Sequence, residues 1–378
     1  MKKVCFLIPA LDAGGAERVM LNLLRSLDRS RFTPLLVLLV KKGILLSDLP
    51  SDIRIRTVRG DKNGFFFKLL DSYRIAKLLN EERPDLIISF MWYTNAVTLF
   101  SRFIRRIKIN IIISERTSTV SYEDFLSNFI RGVVIRFLYP FADTIIAPSY
   151  GIKRKLVNNS GISKEKVIVI HNPVDIRTIR VKAEEGLEHT WYQGGKNTLI
   201  AVGRLRREKG FAYLLRTVSL LSSEGIDCKL VILGEGKERK NLQDLVNKLR
   251  IEDKVFLAGF QSNPYKYLSR STIFVLSSLY EGFPNVLLEA MALGVPSIAT
   301  RCQTGPEEIV TDGIDGLLVP PADEKVLADA VRRLLLDEDL RKRLGEAGEK
   351  RAEDFSSDKI VKEYEALIEG ICAESAER

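Results

Sequence analysis

The chain has 378 residues, 46% hydrophobic and 28% charged, with a formal net charge of +9. That length favours two domains over one, and the composition is ordinary for a soluble globular protein. Four scattered cysteines without CxxC spacing and only two histidines, His171 and His189, exclude a disulfide framework, a zinc site and a His-rich metal centre.

No apolar run reaches the length needed to cross a bilayer. The opening Lys-Lys-Val-Cys-Phe-Leu-Ile-Pro has a short apolar run that Pro9 interrupts, so it reads as a buried first strand and not as a signal peptide. Strands are predicted at Val4–Ile8, Pro34–Val40, Leu86–Phe90, Ile109–Ile113, Thr144–Ala147 and Val167–Ile170. Amphipathic stretches such as Ala16–Leu27 and Phe66–Leu79 lie between them. The plan repeats at Leu199–Val202, Lys229–Leu233, Val255–Leu257, Ile273–Leu276, Pro296–Ala299 and Gly316–Val319. Continuous apolar strands alternating with helices indicate parallel sheets covered on both faces, hence an α/β chain of two doubly wound, Rossmann-like domains. The expected boundaries are 1–170 for the first domain and 171–356 for the second. A last helix from 357 onward, in the segment 357–378, is expected to pack back on the first domain. Residues 1–170 hold 28 Lys/Arg against 15 Asp/Glu, whereas the remainder is mildly acidic. Such asymmetry suggests an anionic surface or substrate for the first half.

Motifs fall at the predicted strand ends. Gly14-Gly15 follows the first strand and opens a helix. It reads as a backbone approach to a pyrophosphate or as a tight turn, and it lacks the G-x-G-x-x-G spacing of a dinucleotide fingerprint. Val97–Lys108 sets Arg102, Arg105 and Arg106 beside an apolar face, and Asp124–Phe141 does the same with Arg131 and Arg136. Both read as helices lying on anionic lipid or as core-facing helices with solvated arginines. Phe65-Phe66-Phe67 reads as a further apolar contact or as core. In the second half, Gly203-Arg204 ends a strand and Lys209-Gly210 opens the next helix, so two cations flank one turn where a diphosphate leaving group could be neutralised. Gly234-Glu235-Gly236 reads as a tight turn, and Gly259-Phe260-Gln261 could line a base pocket. The most informative segment is Glu281 to Pro296. A Gly-Phe-Pro turn after an apolar strand leads into a helix, with Pro284 expected in its first turn, the N–H groups of Asn285 and Val286 at the helix start, and Glu281 and Glu289 eight positions apart. Helix N-termini bind phosphate and carboxylates accept hydrogen bonds from sugar hydroxyls, so the arrangement suits a molecule carrying both.

Taken together, Gly14-Gly15, Gly203-Arg204 with Lys209-Gly210, Glu281-(seven residues)-Glu289 and His171-Asn172-Pro173-Val174-Asp175 resemble family 4 of the retaining glycosyltransferases over nearly the whole chain. The resemblance implies the GT-B fold, with two Rossmann-like domains facing an interdomain cleft. It implies that Arg204 and Lys209 hold the donor pyrophosphate, that Glu281 binds hydroxyls of the transferred sugar and that Glu289 binds the ribose. Gly15, Gly203, Gly282, Phe283, Asn285 and Val286 would complete the donor site. Catalysis would need no metal and no cofactor, only a nucleotide-diphosphate sugar, UDP-linked by family habit, as co-substrate. Members of this family often carry a histidine on the catalytic face of the first domain, and residues 1–170 contain none. Glu115 and Arg116, with Trp92, are the expected occupants of the acceptor side; an ion pair between Glu115 and Arg116 is the structural alternative. Gly-Gly-Ala-Glu-Arg and Ser-Glu-Arg-Thr are similar to members that extend lipid-linked or lipopolysaccharide glycans. They imply a lipid-linked glycan acceptor and a cytoplasmic protein held peripherally at the inner face of the cell membrane through its basic first domain. The other readings are a nucleotide-sugar epimerase of the same architecture and a non-catalytic nucleotide-sugar or nucleic-acid binder. No nucleic-acid module is recognisable.

Overall fold

The opening apolar run forms β1 (Lys2–Ile8), which is buried on both faces. Val4, Phe6 and Ile8 enter one apolar layer, whereas Cys5 and Leu7 enter another. This two-sided burial is why the strand reads as continuous and not as alternating. The structure is a computed structural model, and it describes residues 1–59, 70–105, 108–116, 125–187, 190–192 and 197–376. Phe65-Phe66-Phe67 and Arg106 lie outside them.

The chain divides into two units, Met1–Pro173 with Ser357–Arg378, and Val174–Ser356. In the first unit, β1 joins β2 (Phe32–Leu38), β3 (Arg54–Thr57), β4 (Leu86–Phe90), β5 (Asn110–Ser114), β6 (Thr144–Ala147) and β7 (Val167–Val169) in one sheet of order β3-β2-β1-β4-β5-β6-β7. Every pairing in it is parallel. One face carries the helix Gly15–Ser26 and the C-terminal helix Ser357–Ala376, whose Ile360, Val361, Tyr364 and Ile368 enter the apolar layer shared with β1. The opposite face carries the helices Asp71–Glu82 and Trp92–Arg105, through Ile75, Leu79 and Leu99. The strand β3 was not among the sequence expectations. It is a short edge strand of sequence Arg-Ile-Arg-Thr without one fully buried side chain.

In the second unit, β8 (Thr198–Val202), β9 (Lys229–Leu233), β10 (Val255–Gly259), β11 (Ile273–Leu276), β12 (Ser297–Thr300) and β13 (Leu317–Val319) form a parallel sheet of order β10-β9-β8-β11-β12-β13. Leu199 and Ala201 of β8 pack toward the helices Phe211–Ser223, Arg239–Leu249 and Glu324–Leu336. Ile200 packs toward the helices Ile176–Ala183 and Asn285–Met291. Both units are doubly wound, and each has one place where the strand order reverses. These are between β1 and β4 in the first and between β8 and β11 in the second. In open parallel sheets, ligands bind beyond the carboxyl ends of the strands at that reversal. Among the described residues, no helix is long and apolar enough to cross a membrane.

Candidate active site

In the second unit the reversal brings two loops together, Gly203–Gly210 after β8 and Ser277–Pro284 after β11. Backbone packing fixes both. Leu279 N–H donates to the Glu208 carbonyl at 2.8 Å, and the Ser277 hydroxyl donates to the Lys209 carbonyl at 2.9 Å. Gly210 sits at φ +64°, and a Cβ there would stand 2.0 Å from the Ser277 carbonyl oxygen, so only glycine lets the two loops meet. On the other flank the turn Gly234-Glu235-Gly236 lies against the Gly203–Leu205 backbone, with Leu205 N–H donating to the Glu235 carbonyl at 2.9 Å. A Cβ on Gly234 would come within 1.9 Å of the Gly203 carbonyl oxygen, which gives this glycine the structural role its sequence suggests.

The loops converge on an ion pair. Lys209 Nζ lies 2.6 Å from Glu281 Oε1, and the two side chains are 22% and 9% exposed. The aliphatic stem of Lys209 runs past Gly203, where an added Cβ would meet Lys209 Cδ and Cε at 3.5 Å. Ser278 Oγ donates to the same Glu281 oxygen at 2.6 Å. Two threonines hold the backbone of this loop from the end of β12 and beyond. Thr300 donates to the Ser278 carbonyl and Thr304 to the Glu281 carbonyl. Cys302 lies buried beside them, and its thiol is pushed up to about 12 by burial and then by the Glu281 charge, so it stays protonated and inert. Ser278, Thr300 and Thr304 escaped the sequence reading. Their signal was the Ser-Ser pair directly after the apolar run of β11 and the threonines around the end of β12.

The other expected donor residues are distributed around this pair. Arg204 is exposed and makes no side-chain ion pair or hydrogen bond among the described residues, so it stands as an available cation beside the Lys209 loop. Pro284 is the residue before the helix Asn285–Met291 and not within its first turn, with φ −77° and ψ 98°. Asn285 and Val286 are the first two helical residues and are half-buried. Glu289 is buried on the same helix. Phe283 turns its ring into the apolar layer, 5.6 Å from the ring of Phe355, so its side chain belongs to the core. Phe260 at the end of β10 is 48% exposed. Among the described residues, no group of three or more His, Cys, Asp or Glu side chains is gathered that could hold a metal ion.

In the first unit, Gly15 opens the helix Gly15–Ser26 after β1 and is exposed. Across the reversal, β4 ends at Phe90 and is followed by Met91, whose φ of +76° is unusual for a bulky residue. Trp92 follows, half-buried, with its ring edge-on to Tyr93 at 5.9 Å. Tyr93 donates to Asp71 at 2.9 Å, and Asp71 also takes the guanidinium of Arg59. Burial and the Asp71 carboxylate push the Tyr93 phenol up to about 12.

Glu115 and Arg116 take separate partners, so the expected alternative of a mutual ion pair does not form. Glu115 is 1% exposed; it accepts from Arg131 Nη2 at 2.9 Å and from the Tyr139 hydroxyl. Tyr139 also meets Asn95, which bonds Ser89 and the Ser114 carbonyl, so Glu115 ends a buried polar chain. Burial, then Glu115, raises the Tyr139 phenol far above its ordinary range. Arg116 is also buried. It reaches the Tyr364 hydroxyl at 2.6 Å and the Asn172 side chain, and its guanidinium stacks 4.6 Å from the Phe90 ring. It thereby ties the last helix and the segment before Pro173 to the first sheet.

Comparison with known proteins gives the family and the fold class. Residues 13–178 match the profile of Glycosyltransferase Family 4, and residues 189–351 match that of Glycosyl transferases group 1. An uncharacterized glycosyltransferase of Methanocaldococcus jannaschii is 34% identical over 342 residues, covering 80% of this chain and 84% of its own. The N-acetylgalactosamine-N,N'-diacetylbacillosaminyl-diphospho-undecaprenol 4-alpha-N-acetylgalactosaminyltransferase of Campylobacter jejuni is 31% identical over 370 residues, 96% of this chain and 98% of its own. The crystal structure of Anabaena HepE in complex with UDP-glucose superposes with a TM-score of 0.82 at 20% identity, covering 98% of this chain and all of that one. Two doubly wound parallel sheets of this kind define the GT-B class of glycosyltransferases. The chain belongs to glycosyltransferase family 4.

Proposed function

We propose that the protein transfers a hexose or N-acetylhexosamine from a nucleotide-diphosphate sugar, UDP-linked, to a lipid-linked glycan, with retention of anomeric configuration and without a metal ion. The observation that carries this reading is the Lys209–Glu281 pair at the β8/β11 reversal, where a doubly wound sheet receives its ligand. An ammonium has three N–H donors, and Glu281 engages Lys209 through one oxygen, leaving donors for a diphosphate. Arg204 adds a second cation. Together they offset the charge that develops on the departing nucleoside diphosphate, the task a divalent ion performs elsewhere. Glu281, oriented by Ser278 and Lys209, accepts from a hydroxyl of the transferred sugar, and Glu289 accepts from the ribose. The acceptor oxygen attacks C1 from the face the diphosphate leaves; the C1–O bond to phosphate breaks, the new C1–O bond forms, and the acceptor proton passes to the departing phosphate oxygen.

The lipid-linked acceptor draws support from the C. jejuni relative, whose name specifies a diphospho-undecaprenol substrate, and the UDP donor from HepE, crystallised with UDP-glucose. Peripheral association with the inner face of the cell membrane follows from such an acceptor. The test is a panel of UDP-sugars offered with an undecaprenyl-diphosphate-linked glycan. One donor should be consumed only when the acceptor is present, with a stoichiometric gain of one sugar on the lipid. Conversion of UDP-N-acetylglucosamine to an epimer without acceptor would contradict the reading.

A further inference from the structure

The most apolar helix of the first unit is Phe125–Leu138. In Phe125–Leu138, nine of 14 residues are apolar, yet among residues 129–138 every side chain is exposed or half-buried. Phe129 and Phe137 are 62% and 63% exposed. The face continues onto the neighbouring helix Trp92–Arg105 through Phe100 and Phe103. The Phe103 ring meets Phe141 edge-to-face at 5.0 Å, joining the two segments into one apolar surface. Exposed patches of this kind mark an interaction site.

Charge identifies the occupant. The helices Trp92–Arg105, Phe125–Leu138 and Tyr150–Ser160, each packed on the next, contain seven Lys/Arg and no Asp or Glu. Arg102 is tied to Asp143 at 2.5 Å and Arg131 to Glu115 at 2.9 Å, so these two are internal struts. Arg136, on the same helix as Phe129 and Phe137, is exposed, as are Lys108 and Arg154. A second copy docked through the same patch would set cations against cations, which a two-fold interface disfavours. An anionic lipid surface accepts both features, taking the phenylalanines at the headgroup boundary and the cations at the phosphates.

We propose that this face, centred on Phe129, Phe137 and Arg136, docks on the anionic surface of a lipid bilayer. The proposal names the partner of the enzyme's acceptor side and rests on the lipid-linked acceptor reading for its purpose, although its evidence is independent of the transfer chemistry. The test is sedimentation of the full chain with vesicles of phosphatidylcholine alone or mixed with phosphatidylglycerol, without donor or acceptor. The protein should bind the phosphatidylglycerol vesicles, and less so at high salt. The variant F129S/F137S should lose on the order of tenfold in partitioning at unchanged melting temperature. Arg136→Gln should weaken binding only to the anionic vesicles. Wild-type protein that ignores both vesicles, or a double variant that binds as wild type, overturns the proposal. So does a wild-type dimer that the double variant converts to monomer, which would give the face to a second copy. Vesicle binding without sugar transfer would leave docking standing and remove the lipid-linked acceptor.

Discussion

Lys209 and Glu281 are held to each other at 2.6 Å, and an ammonium has three N–H donors, more than this one contact uses. If Lys209 stabilises charge developing on the diphosphate, Lys209→Ala should raise the barrier by about 2–4 kcal/mol, about 30- to 1000-fold in kcat. Steady-state kinetics with saturating donor checks this, and an unchanged kcat removes Lys209 from the mechanism. Glu281→Ala should abolish most transfer yet leave UDP affinity nearly intact, because the carboxylate is assigned to the sugar and not to the nucleotide. A second carboxylate governs stability instead. Glu82 is buried among Lys3 at 2.8 Å, Arg54 at 3.0 Å and Arg56. The bond from Lys3, offset in part by burial, holds its carboxyl below the ordinary 4.5. The unfolded chain therefore binds this proton more readily than the native one. The stabilisation is present above pH 4.5 and is lost as pH falls through the lower native value. Glu82→Gln should cost about 1–3 kcal/mol at neutral pH and flatten the acid limb of stability. Urea midpoints measured across that limb would run parallel for both proteins if the account of Glu82 were wrong.

At the scale of elements, the site depends on loops that meet backbone to backbone. Gly234→Ala would drive a Cβ to 1.9 Å from the Gly203 carbonyl oxygen at φ +147°, displacing the strand end that carries Arg204. The expected cost is on the order of 1–3 kcal/mol in stability together with weakened donor binding. Calorimetric Tm and UDP titration measure the two effects, and a variant unchanged in both would refute the proposed contact. The central strands were legible in the sequence because burial on both faces leaves an uninterrupted apolar run, as in Leu86–Phe90 and Ile273–Leu276. The edge strand β3 was not, because Arg-Ile-Arg-Thr buries no side chain fully and so carries no such run. Glu281 and Lys209 were legible because each follows a strand end. Ser278 and Thr304 were not, because their role is a hydrogen bond fixed only by the fold. Of the Arg102, Arg105 and Arg106 stripe, periodicity could not show that Arg102 reaches back to Asp143 and to the carbonyls of Ile109 and Phe141, because those partners are set by the fold.

At the scale of the whole molecule, each unit places its reversal of strand order at the loops the motifs occupy, β8/β11 for Arg204, Lys209 and Glu281, and β1/β4 for Gly15 and Trp92. The last helix belongs to the first unit, where Tyr364 and Glu365 engage Arg116 and Arg31. The chain thus crosses between its units twice, after Pro173 and after Ser356. The proposed chemistry is same-face displacement served by two cations, Arg204 and Lys209, and a sugar-binding carboxylate, Glu281. The measurement that tests it most directly is the anomeric configuration of the product, read by NMR from the coupling of the newly transferred sugar after reaction with an α-linked UDP-sugar. The account predicts an α-linkage. A β-linked product would contradict it.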